Sequence, residues 1–164
     1  RNWENILMKN QVNQIRNIGD AGVITKPEGS VKISVLNNSR QIDVVVAGAG
    51  KDGKPGWMTM KVLPESGLPK GINYLDEAIN PAKNMRTQKY GGQVLHVDQA
   101  HVYQFGPKGL VKHDRNIFAV GLQGKEPIVG RCYEVNYVGG QGKLKGELTI
   151  EQGRKMTDSR GLSR

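Results

Sequence analysis

From Gln93 onward the chain is a series of short runs rich in Val, Ile and Tyr, each closed by a turn: residues 93–97, 101–105, 117–122, 131–138 and 143–150. Five strand-like runs this close together leave no room for the helical crossovers that parallel strands require. The sequence therefore predicts a small antiparallel, barrel-like β domain over residues 90–150. Upstream, residues 31–36 and 41–47 are β-branched and flank Asn37-Asn38-Ser39-Arg40, a turn composition that predicts a β-hairpin. Trp57 to Val62 reads as a third strand. Trp3, Ile6, Leu7, Val12 and Ile15 recur at helical spacing and predict an amphipathic helix over residues 2–17. Residues 72–90 predict one or two helical turns and then a polar connector. The expected class is mainly β with one or two short helices, an α+β chain. A helix-plus-hairpin subdomain over residues 1–89 precedes the β module, and a basic flexible tail over 151–164 follows it.

The 24 Lys and Arg outnumber the 15 Asp and Glu. The excess is even along the chain, 13 against 8 up to residue 90 and 11 against 7 beyond it. A surface of this kind favours a polyanionic partner, because each neutralised phosphate releases counterions. No run approaches the roughly 18 apolar residues of a membrane span, and no basic-then-apolar leader opens the chain, so no membrane is expected. Cys132 is the only cysteine. It forms no disulfide within one copy, and a reducing, cytoplasmic setting is expected. The chain opens on Arg1 and its first methionine is Met8, so it reads as part of a larger polypeptide.

Val44 to Gly53 spells a strand running into G-x-G-x-x-G. Dinucleotide binding through that motif needs a helix opening at the later glycines, and Lys54-Pro55-Gly56 followed by a strand denies it. Gly48, Gly53 and Lys54 also approach a Walker spacing, but Pro55 stands where Ser or Thr would hold the metal. No cofactor is expected. His96, His101, His113 and Cys132 lack the close pairing of a structural zinc site. Cys132 with His113 has no surrounding nucleophile motif, and the adjacent Asp76 and Glu77 point apart. Binding is expected in place of catalysis.

The strings Tyr90-Gly91-Gly92-Gln93-Val94-Leu95-His96-Val97, Val102-Tyr103-Gln104, Leu110-Val111-Lys112-His113-Asp114, Val129-Gly130 and Val135-Asn136-Tyr137 resemble the KfrB-type domain. That domain is a short β-rich module of plasmid-borne proteins, often appended to relaxases and primases of conjugative elements. The resemblance spans residues 90–145 and implies a bacterial mobile-element protein with a docking or DNA-contacting role. It supplies no catalytic residues. Lys108, Lys112, His113 and Arg115 cluster in an expected turn, and Lys143 and Lys145 alternate on the last strand. Together they form a candidate phosphate track, with Tyr103 as a stacking residue for single strands. The alternative is a protein-interaction module without nucleic-acid contact.

Overall fold

The computed structural model describes residues 26–162, so the helix expected over residues 2–17 lies outside the described residues. The chain divides into two compact units between Asp76 and Glu77.

In the first unit, β1 (Val31–Leu36) and β2 (Ser39–Val46) form the expected hairpin, with Leu36 opposite Ser39. Asn37 and Asn38 both adopt positive φ, 39° and 65°, the conformation a two-residue hairpin turn demands and asparagine tolerates. β3 (Gly56–Pro64) and β4 (Gly71–Tyr74) complete an antiparallel sheet of order β3-β2-β1-β4. β1 is buried on both faces. Ile33 and Val35 occupy one, while Lys32 and Ser34 are equally enclosed on the other. The Lys32 ammonium lies 4.4 Å from the centre of the Trp57 ring, and Asp43, also buried, stands opposite it in register. Such compensation is what an enclosed cation requires. No helix follows the Gly48–Gly53 loop. Its glycines let the backbone close on itself: the Gly50 amide donates to Lys54 O at 2.7 Å, and a Cβ on Gly50 would meet Pro55 O at 2.6 Å.

The second unit contains two three-stranded antiparallel sheets, and they do not close into a barrel. One runs β10-β9-β5, from β5 (Gln88–Tyr90), β9 (Cys132–Val138) and β10 (Gln141–Leu148). The other runs β6-β7-β8, from β6 (Val94–Val97), β7 (His101–Gly106) and β8 (Gly109–Asp114). They are stitched by the Val94 amide donating to Arg131 O at 2.9 Å and the Gly130 amide donating to Val94 O at 2.8 Å. Between them lies a core of Tyr90, Val94, Val102, Val111, Phe118, Tyr133, Val135 and Tyr137.

Three expectations are corrected. Residues 117–122, expected as a strand for their Ile, Val and Leu, fall in helix α1 (Arg115–Gly121) and its C-cap. Asp114 decides this: its carboxylate caps the helix, accepting from the Asn116 amide at 2.8 Å, and Phe118 then turns into the core. The expected tail is helical through Leu162 as α2 (Ile150–Leu162). Thr149 and Gln152 form a reciprocal cap, the Gln152 amide donating to Thr149 Oγ1 at 3.1 Å and the Thr149 amide to Gln152 Oε1 at 2.9 Å. Its sparse apolar content suffices because Gly153 lets the helix settle against Gly91 and Cys132, where a Cβ would lie 2.3 Å from Gly91 O. The supposed turn around Lys108 to Arg115 is mostly strand β8, since the hairpin turns over Pro107 and Lys108 alone, with Gly106 opposite Gly109. In residues 72–90 the helical turns are short 3-10 turns over Leu75–Glu77 and Pro81–Lys83, and the connector ends in β5.

Candidate nucleic-acid interface

Along β8, alternation with Val111 turns His113 inward, and it is fully buried. Gln104 on β7 fixes its state. The Gln104 amide nitrogen donates to Gly92 O at 2.8 Å and Tyr133 O at 2.7 Å. Its Oε1 therefore faces His113 Nε2 at 2.7 Å and must accept, so Nε2 carries the proton. Nδ1 is left to accept from the Tyr137 hydroxyl at 2.5 Å. Burial lowers the His113 pKa to about 3 and holds the ring neutral. Burial, aided by Tyr90 and Asp114, pushes the Tyr137 hydroxyl well above the usual range. This is a closed, satisfied network inside the core. His113, expected at the surface, cannot reach a phosphate.

Tyr103 is corrected in the same way. It is buried between His96 and His101, each ring centre 6.0 Å away, and burial with the Asp98 carboxylate pushes its hydroxyl up to about 12. No face remains for a base. Arg115 is already engaged: one guanidinium nitrogen donates to Asp98 O at 2.9 Å and the other pairs with the Glu126 carboxylate. It ties the β6–β7 turn to the segment after α1. Lys112 is half-buried in mid-strand, while Lys108 is exposed at the hairpin tip. The six basic candidates do not form one track. Burial, aided by Glu147, raises the pKa of the enclosed Cys132 thiol, which disfavours the thiolate.

Of the candidates, Lys143 and Lys145 lie exposed on β10 of the β10-β9-β5 sheet. Residues directly opposite in an antiparallel pair project from the same face. Lys143 stands opposite Asn136, and Asn136 stands opposite Lys89, so the three form a row across all three strands. Strand spacing of about 4.8 Å places the two lysine Cα atoms about 10 Å apart. Both lysines are exposed, as is Lys145, which occupies a β-bulge between Leu144 and Gly146. The opposite face of β9 carries Tyr133, Val135 and Tyr137 into the core. Sequence reasoning missed Lys89 because it took the end of residues 72–90 for a connector, and without β5 the strand carrying Asn136 had no partner that would mark it as part of a row. The alternation of Tyr133, Val135 and Tyr137 was the available signal that Asn136 faces out.

On the other side of the edge strand β10, a cleft of about 790 Å³ opens between α1 and the β9–β10 hairpin. Ile117, Val120 and Leu144 line it together with Asn80, Asn116 and Asp114, and Lys143 stands at the junction of cleft and row. Among the described residues no helix is long and apolar enough to cross a membrane.

Comparison with known proteins bears out the resemblance drawn from the sequence. The family model described as KfrB Domain matches residues 89–145, which covers β5 through most of β10. Protein TraB of Escherichia coli is 50% identical over 155 residues, spanning 94% of this chain and 98% of that protein.

Proposed function

This chain belongs to the family of Escherichia coli Protein TraB and is related to plasmid and conjugation proteins, and from that premise we propose that it binds nucleic acid without catalysing a reaction on it. In this reading its KfrB domain contacts the phosphate backbone through Lys89, Lys143 and Lys145. The observation that carries the reading is the lysine row on β10-β9-β5, together with a chain-wide excess of nine positive charges. The row contains no aromatic platform, so the contact is with backbone and insensitive to sequence.

The test is fluorescence anisotropy of a labelled oligonucleotide at several salt concentrations. Binding should weaken linearly on logarithmic axes as salt rises, with a slope near −0.9 for each phosphate contacted on duplex and about −0.7 on single strands. A Lys108→Glu, Lys112→Glu variant should bind nearly as the parent does, because neither residue lies in the row. Salt-independent binding would remove the phosphate contacts from the reading, and no binding at low salt would favour a protein partner.

A further inference from the structure

The phosphate contacts leave unused the cleft between α1 and the β9–β10 hairpin. We infer that it seats a single unstacked nucleobase, so that the nucleic acid bound on the row is single-stranded. The inference rests on the proposed phosphate reading and adds to it.

The volume, about 790 Å³, lies within the range of sites that enclose small organic ligands. The lining decides the chemistry. Ile117, Val120 and Leu144 supply an apolar wall suited to the face of a flat ring. Asn116 and Asp114 bring an amide and a carboxylate to the same cleft, and Asn80 adds its amide nitrogen while its Oδ1 accepts from the Ala82 amide at 3.0 Å. An asparagine amide pairs with donor and acceptor together on a base edge, and a carboxylate accepts from an exocyclic amine. A phosphate inside would be repelled by the Asp114 carboxylate, whereas a neutral base carries no charge to repel. Asp114 keeps acceptor capacity after capping α1, since only its Oδ1 serves the Asn116 amide and a carboxylate has about four lone-pair sites. The cleft therefore favours amine-bearing bases over uracil and thymine.

Continuity with the row fixes the strand's path. Lys143 belongs to both: it lines the cleft and also stands in the line Lys143, Asn136, Lys89. β10 is the edge strand and the cleft lies on its Gly142 and Leu144 side, so a strand whose phosphates follow the lysines rounds that edge at Lys143 to turn one base in. A duplex keeps its bases stacked and would have to pay for extrusion.

The test compares full-length protein binding a short single strand, the same strand with an abasic site at its centre, and a deoxycytidine strand against a deoxyuridine strand. The intact strand should bind about tenfold more tightly than the abasic one at equal salt slope, and deoxycytidine more tightly than deoxyuridine. Asn116→Trp, an exposed position whose ring would fill the cleft, should erase both differences while its melting temperature stays near the parent's. Equal binding of intact and abasic strands by the wild type overturns the inference and needs no variant. The two readings separate cleanly: a Lys89→Glu, Lys143→Glu variant should lose affinity for every strand. If it binds as the wild type does, the phosphate reading falls instead.

Discussion

The two faces of β9 carry opposite kinds of chemistry although their residues alternate in the sequence. Inward go Tyr133, Val135 and Tyr137, where the Tyr137 hydroxyl donates to a neutral histidine and the Tyr133 hydroxyl accepts from the Ile128 amide at 3.0 Å. Outward go Glu134 and Asn136, with Asn136 between Lys89 and Lys143. His113, a candidate contact in the sequence, instead joins Gln104 and Tyr137 in holding the second unit together. Lys89 and Lys143, on the strands to either side of β9, carry the candidate interface. Breaking one face should therefore change stability, and breaking the other should change binding.

The largest effect is expected at His113→Ala. It leaves a cavity and strands both Gln104 Oε1 and the Tyr137 hydroxyl, which should cost about 3 kcal/mol or more in urea unfolding. The row should still bind in whatever fraction stays folded.

Next comes pH. His113 has a folded pKa of about 3 against 6.5 in the unfolded chain, so below 6.5 the unfolded state binds the extra proton and stability falls with the pH. Between pH 6.5 and 5 the loss should be about 2 kcal/mol. Urea midpoints across that window should show it, and His113→Gln should flatten it.

Gly153→Ala follows. Helix propensity alone would make it stabilising by about 1 kcal/mol. The new Cβ would lie 2.3 Å from Gly91 O and 2.6 Å from Cys132 Sγ, so the melting temperature should drop, by an amount equivalent to roughly 1–3 kcal/mol. The smallest effect on stability belongs to Lys89→Glu, Lys143→Glu, within about 0.5 kcal/mol of the parent. The same variant should reduce the salt slope by about two.

The elements that could be read from the sequence were those fixed by local rules. Asn37-Asn38 marks a turn, and β-branched runs on each side of it leave few alternatives. The tight turn Gly106-Pro107-Lys108-Gly109 was equally local, and recognising it would have placed Val111 and His113 on one inward face. The caps of α1 and α2 were also present, as Asp114 two residues before Asn116 and as Thr149 with Gln152. They were outweighed by the β-branched content of residues 117–122 and the polarity of 151–164. The lysine row was not legible, because it depends on pairing β5 with β9 across more than forty residues of chain, a register that local pattern does not fix.

The central claim, that the outer face of β10-β9-β5 binds nucleic acid while the inner face only holds the fold, is tested most directly by titrating a short oligonucleotide into isotope-labelled protein and following amide shifts. The account predicts saturable shifts at Lys89, Asn136, Lys143 and Lys145 with Gln104 and Val111 unmoved. Shifts centred on Lys108 and Lys112, or none at the row under low salt, would contradict it.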